Sequence, residues 1–274
     1  MSLAHLAAAG REDAEAETGF PTAGPIRHPA GGRFRVGTSG YDYPHWAGIF
    51  YPDGLSHREW FAYYARRFDT VEINRTFYGL PDAGTFDGWR ERAPAGFLYA
   101  VKFSRYATHR RRLRDAPETL ATFVGLARRL GDRLGPVLVQ LPPRWRADAV
   151  RLRTFLRAVP TDLRWAVEVR DPSWLNEEVY GVLRDAGAAL CIHDMIEDHP
   201  REVTAGWVYL RYHGHRYAGS YTYQKLTAEA ERIAAHLAAG RDVYAYFNND
   251  AGGNAVFDAT SLREYVRSRC GRAP

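Results

Sequence analysis

The chain has 274 residues with 46% apolar and 25% charged side chains, the balance of an ordinary soluble globular protein long enough for one large domain or two small ones. No apolar run suffices to cross a bilayer, and the N-terminus lacks the basic stretch and apolar core of a secretory signal. The formal net charge of +5 is modest, and Cys191 and Cys270 alone make no disulfide framework, so a reducing cytoplasm is the expected location.

Residues 1–32, rich in Ala, Gly, Pro and Glu, have little apolar periodicity and read as a flexible extension. From residue 33 a strand–helix rhythm repeats. Candidate strands are 33–37, 70–77, 97–104, 136–141, 164–170, 188–194, 207–213 and 242–248, short and bounded by Gly, Pro or Asp. Helical patterns lie between them at 57–68, 117–130, 148–159, 176–186, 228–239 and 261–268. Pro117 suits a first helical position, and Gly187 and Gly240 follow helix ends. The connection 195–206, broken by Pro200 and acids, predicts no helix. This alternation predicts a single (β/α)8 TIM barrel: a closed parallel eight-stranded barrel with outer helices, over residues 33–274. An open doubly wound sheet is the rival, and no glycine-rich phosphate loop follows any strand to support it.

Side chains alternate between the two faces of a strand, so parity separates barrel-facing from helix-facing positions. Val71 and Ile73 oppose Glu72, Asn74 and Thr76; Val101 and Phe103 oppose Lys102 and Ser104. Val137 and Val139 oppose Gln140, and Val167 and Val169 oppose Glu168 and Arg170. Val208 and Leu210 oppose Arg211 and His213, while Val243, Ala245 and Phe247 oppose Tyr244, Tyr246, Asn248 and Asp250. The apolar set must pack on helices, so Glu72, Lys102, Gln140, Glu168, Arg170, Arg211 and His213 point inward. Unpaired buried charges cost several kcal/mol each, so these residues either form a structural lattice or face a ligand. Their late positions in the strands favour a site at the C-terminal mouth.

The stretches GTSGYDYPHWAGIFYP (37–52), TVEINRTFYGLP (70–81) and YAVKFSRYATHRRRL (99–113) resemble the YecE-like family, domain of unknown function 72. LGPVLVQLPP (134–143), AVEVRDPSW (166–174), YLRYHG (209–214) and VYAYFNNDAGGNAV (243–256) continue the resemblance over nearly everything after residue 32. It implies the TIM barrel and supplies no activity.

Among the inward charges Lys102, Arg170 and Arg211 outnumber Glu72 and Glu168, which points to an anion, and Arg presents a planar donor fork to phosphate or carboxylate. Thr38, Ser39 and Gly40 offer hydroxyls and amides; Tyr41, Tyr43, Trp46, Tyr78 and Trp174 offer flat surfaces for a base or sugar, or else cap the mouth. Candidate ligand-binding residues are therefore Ser39, Tyr41, Trp46, Glu72, Asn74, Lys102, Gln140, Glu168, Arg170, Arg211, His213, Tyr246 and Asn248, with Glu72, Lys102, Glu168 and His213 the catalytic candidates. A phosphorylated small molecule or a nucleic acid is the expected partner, with the arginine-rich stretches 105–114 and 144–157 as attracting or simply solvated surfaces. Asn248, Asn249, Asp250, Gly252 and Gly253 read as a tight polar loop suited to phosphate. No cofactor or metal is expected. The competing reading is a metal-dependent phosphodiester hydrolase or sugar isomerase using Glu72, Glu168, His193, Asp194, His213 and Asp250, whose spacing forms no metal motif and whose cationic neighbours oppose a divalent ion. A glycosidase pair of Glu72 and Glu168 is disfavoured because arginines would hold both ionised. A non-catalytic binding protein also fits, since no nucleophile–base pair stands out and Cys191 reads as core.

Overall fold

Apolar residues at alternate positions, bounded by turn residues, form nine strands: β1 (Ile26–Arg27), β2 (Arg33–Thr38), β3 (Thr70–Ile73), β4 (Leu98–Lys102), β5 (Leu134–Gln140), β6 (Trp165–Glu168), β7 (Ala189–His193), β8 (Trp207–Tyr212) and β9 (Asp242–Phe247). The structure, a computed structural model, describes residues 24–114, 117–214 and 217–271. The helices are α1 (Trp60–Arg67), α2 (Arg75–Tyr78), α3 (Ala83–Arg92), α4 (Pro117–Ala127), α5 (Ala149–Ala158), α6 (Glu177–Asp185), α7 (Tyr223–Ala238) and α8 (Asn254–Cys270). Their starts are set locally: the side chains of Asp82, Asp148, Asn176 and Thr222 each accept the backbone N–H three residues on. None of the helices among the described residues is long and apolar enough to cross a membrane.

The strands form one nine-stranded sheet in the order β1-β2-β9-β8-β7-β6-β5-β4-β3. The expected parallel pairing of the first long strand with the last is present, with Phe34 opposite Val243 and Thr38 opposite Phe247. The closed, all-parallel eight-stranded barrel is not. Ile26 and Arg27, inside the segment expected to lie outside the fold, add β1 antiparallel to β2 and make the sheet mixed; residues 1–23 of that segment lie outside the described residues. Among the described residues no ladder joins β2 to β3. The sheet curls far enough for one isolated bridge, Ser39 to Glu72, and side chains fill the rest of that seam. The Tyr64 hydroxyl accepts from the Thr38 backbone N–H at 2.9 Å and donates to the Thr70 carbonyl at 3.1 Å, where a ladder bond would otherwise run. Arg35 ties the same seam to the carbonyls of Asp69 and Gly96 and to the Asp69 carboxylate at 2.8 Å. Gly37 is required here: a Cβ would lie 2.1 Å from the Thr70 carbonyl oxygen.

The strand expected over 70–77 stops at Ile73, because Asn74 turns the chain into α2. The Thr76 hydroxyl then donates to the Lys102 carbonyl at 2.8 Å, a tertiary contact that prevails over the strand preference of Thr, Phe and Tyr.

Burial follows the alternation. Val71, Val101, Val137, Val139, Val167, Val208, Val243 and their neighbours pack outward on the helices. A second cluster, with Ala100, Leu138, Ala166, Cys191, Trp207, Tyr209, Tyr244 and Tyr246, fills the inside of the curled sheet. Its rings stopper the N-terminal half: Trp207 meets Tyr244 edge-on at 5.8 Å, and Tyr209 lies 5.2 Å from Tyr246. Above this stopper the inward positions turn polar.

Candidate functional site

Five inward residues stand at the C-terminal strand ends: Glu72 on β3, Lys102 on β4, Gln140 on β5, Glu168 on β6 and Arg211 on β8. Ser39, Arg170, His213 and Asn248 follow within two residues of their strands. Parallel register levels them, with Gln140 opposite Glu168 and His193 opposite Arg211.

Arg211, fully buried, is the hub. One guanidinium nitrogen donates to Glu72 at 2.7 Å and to the Ser39 hydroxyl at 3.0 Å; the other donates to Glu168 at 2.5 Å and to His213 Nε2 at 3.1 Å. Glu72 also accepts from the hydroxyls of Ser39 and, at 2.6 Å, Tyr209. Glu168 accepts from Arg170 and, at 2.9 Å, from the Gln140 amide. Burial pushes both carboxyl groups up, but the opposing attractions prevail: Arg211 with Lys102 for Glu72, and Arg211 with Arg170 for Glu168. Both end below the ordinary carboxylate range. Neither is a proton donor at neutral pH, so the acid of a glycosidase pair is missing.

The histidines are committed as well. His213 Nε2 receives N–H groups from Arg211 and Arg170, each at 3.1 Å, so it is the unprotonated nitrogen. Its Nδ1–H faces Asp194 at 3.2 Å, and Asp194 also accepts from the His213 backbone and the Tyr221 hydroxyl. His193 donates from Nε2 to the Val169 carbonyl at 2.7 Å and accepts the Met195 N–H at Nδ1; burial pushes it down to about 4. These carboxylates and rings are turned to protein donors and acceptors, and among the described residues no group of three or more His, Cys, Asp or Glu side chains converges on a metal position.

Arg170 and Arg211 balance Glu72 and Glu168 one to one. Lys102 is the cation left without a direct partner. Only 6% exposed, its ammonium has no hydrogen bond or ion pair among the described residues and lies 4.2 Å from the Phe77 ring centroid. Burial, with repulsion from Arg211, pushes its pKa down to about 8 although Glu168 and Glu72 pull the other way. It opens on a cavity of about 660 Å³ at the mouth. Gln140, Asn74, Asn248 and the outer edge of Arg170 line the cavity floor, and Tyr43, Tyr78, Arg105, His109 and Tyr217 form its wall. His109 is pushed down to about 4 by burial and by Lys102, so this wall holds a neutral ring.

The structure therefore gathers Lys102, Arg170, Gln140, Asn74, Asn248 and Arg211 around one cavity, with Glu72, Glu168, Ser39 and His213 in the network beneath. Three candidates lie elsewhere. Trp46 is buried and donates its indole N–H to the Asp250 carbonyl at 2.9 Å. Tyr41 packs on Phe61 and Tyr64. Tyr246, deep in the stopper, meets the Thr70 hydroxyl at 2.8 Å. Trp174 is core, its indole N–H on the Trp145 carbonyl. In the loop after β9, Asn249 turns away to Asp258 at 2.7 Å. Phe77, Arg105, Pro143 and Tyr217 join the cavity unforeseen; the sequence pattern puts Phe77 in a strand and Arg105 in a basic run, though both sit just past strand ends.

A family model described as "Protein of unknown function DUF72" matches residues 35–273. The chain belongs to the DUF72 family. The UPF0759 protein YecE of Escherichia coli (strain K12) is 30% identical over 143 residues, 51% of this chain and 49% of YecE, so the match spans about half the length of that relative. The UPF0759 protein YunF of Bacillus subtilis (strain 168) is 24% identical over 253 residues, 79% of this chain and 89% of YunF. A crystal structure of a DUF72 family protein from Thermotoga maritima MSB8 is 26% identical, with a TM-score of 0.76 over 84% of this chain and 98% of that one. The curled sheet is thus the DUF72 fold.

Proposed function

We propose that this DUF72 chain binds a small phosphorylated ligand at the C-terminal mouth, its phosphate on Lys102 and the outer edge of Arg170 and its body against Tyr43, Tyr78 and Tyr217. The observation that carries the reading is Lys102, a nearly buried cation without a counter-ion among the described residues beside a 660 Å³ cavity. A buried ammonium left unpaired costs several kcal/mol, and an arriving dianion removes that cost while forming charge-assisted hydrogen bonds. Arg211 has no part in direct contact, because its terminal nitrogens are occupied by Glu72, Glu168, Ser39 and His213. Arg170 keeps one nitrogen toward the Tyr217 hydroxyl, at 3.5 Å, on the cavity side.

Calorimetric titration with inorganic phosphate and a nucleoside monophosphate tests this. Lys102→Met and Arg170→Met should each weaken binding by about ten-fold or more, following from the roughly 1.5–3 kcal/mol of a charged hydrogen bond. Failure of the wild type to bind either probe, or equal binding by both variants, overturns the reading. Arg110, Arg111, Arg112 and Arg114 are exposed and follow the cavity-lining Arg105 and His109 in the chain. A steeply salt-dependent retention of oligonucleotides that their neutralisation abolishes would make the ligand a nucleic acid instead.

A further inference from the structure

Only two of the 37 Lys and Arg residues are lysines, Lys102 and Lys225. Lys225 is exposed in the first turn of α7. The chain thus uses arginine almost everywhere a positive charge is wanted, including at Arg170 and Arg211 in the site itself. For holding an anion, arginine is also the better group, since its planar fork donates two parallel hydrogen bonds and never loses its charge. What an amine can do and a guanidinium cannot is give up a proton near neutral pH and use its lone pair as a nucleophile.

The surroundings of Lys102 suit that use. The amine lies over the Phe77 ring at 4.2 Å, at the end of β4, with no carboxylate paired to it. Glu168 and Glu72 attract it through space without a direct contact, and Arg211 bridges the two carboxylates. A desolvated lysine beside other cations is a standard arrangement for an activated amine. Around it stand Glu72 from β3, Glu168 and Arg170 from β6 and its loop, Arg211 from β8, and His109 on the wall; Arg211 and Arg170 disfavour the ammonium, while Glu168 and Glu72 only partly restore it.

We propose that Lys102 forms an imine with an aldehyde or ketone that also carries a phosphate, a catalytic role that rests on the anion-binding reading above. The nitrogen lone pair attacks the carbonyl carbon, forming a C–N bond as the C=O π bond breaks onto oxygen. The carbinolamine then loses its oxygen, together with the two amine protons, as one water molecule, leaving C=N. No electrons enter or leave, so no oxidant or reductant is required. When the ligand also carries a carbonyl, Lys102 turns to that carbon and its share of the phosphate passes to Arg105, which lines the same cavity beside Arg170.

The test uses the full chain with pyridoxal 5′-phosphate and, separately, pyridoxal, each followed by borohydride reduction and peptide mass mapping. Lys225 and the N-terminal amine serve as internal references. Lys102 should be labelled about ten-fold or more faster than Lys225 at neutral pH, as activation of the amine requires. The phosphorylated aldehyde should label it faster than pyridoxal, and inorganic phosphate should compete. Lys102→Arg should lose the adduct, with Lys225 labelled as before. If Lys225 is labelled as fast as Lys102 while phosphate still binds, imine formation is refuted and the anion site stands. If Lys102 is labelled selectively but phosphate neither competes nor improves the aldehyde, the nucleophile stands and the anion site falls. Because the decisive ratio is measured within the wild-type protein, it does not depend on any variant folding.

Discussion

Replacing Lys102 with methionine should stabilise the protein. The side chain is nearly buried, and its pKa is pushed from 10.5 to about 8. Every tenfold loss of proton affinity corresponds to about 1.4 kcal/mol, so the protonated lysine costs the folded state roughly 3 kcal/mol. Methionine keeps the length, removes the charge and places a polarizable sulfur over Phe77. The folded-state value lies below the unfolded one, so the penalty is complete below pH 8, where both states hold the proton. Between 8 and 10.5 the unfolded chain still binds a proton that the folded chain has released, so wild-type stability rises with pH across that window. The advantage of Lys102→Met should therefore be about 3 kcal/mol at pH 7 and shrink toward zero by about pH 10.5. Urea unfolding of both proteins across this range measures it, and the difference cancels the tyrosines that titrate in both. A methionine variant less stable than wild type at pH 7, or a gap that does not change with pH, would refute the view of Lys102 as an uncompensated cation. Phosphate at a fixed concentration should stabilise the wild type more than the variant.

Arg211→Met strands Glu72 and Glu168 in the interior and should cost about 3–5 kcal/mol in urea unfolding at neutral pH, while adding Glu72→Gln and Glu168→Gln should restore much of it; a cost under about 1 kcal/mol would mean the network contributes little. Because both carboxyl groups are held below their ordinary range, their stabilisation is present above the unfolded pKa and disappears as pH falls through the folded values, so the cost of Arg211→Met should diminish in acid. Tyr64→Phe removes the hydroxyl between β2 and β3, should cost about 1–3 kcal/mol, and should accelerate hydrogen exchange at the Thr38 amide; unchanged exchange there would show that the seam is held by other contacts.

The inward charges are legible in the sequence because a strand has only two faces, and Val101 with Phe103 or Val137 with Val139 can occupy only the apolar one. Parity places Lys102, Glu168 and Arg211 together; it does not say which guanidinium takes which carboxylate. That depends on distances across the sheet, which decide that Arg211 is consumed and Lys102 is left over. The open seam escapes the sequence for a related reason. Tyr64 lies on a helix, and nothing local in the sequence shows its hydroxyl standing in for strand pairing at Thr38 and Thr70. Phe77 escapes because strand preference in Thr76, Phe77 and Tyr78 is weaker than the Thr76 bond to the Lys102 backbone. The scarcity of lysine is available from composition alone and marks the residue the geometry leaves unpaired.

The aromatic stopper makes the interior a cul-de-sac. With Trp207, Tyr209, Tyr244 and Tyr246 filling the far half of the bore, a molecule that reaches Lys102 must withdraw through the opening by which it came. Exchange at the amine is therefore single-file: the occupant has to depart before its successor can arrive. A bulky compound lodged among Tyr43, Tyr78 and Tyr217 would then slow release of a molecule already inside as effectively as it bars a new one, and a chase with such a compound should lengthen the bound lifetime instead of shortening it.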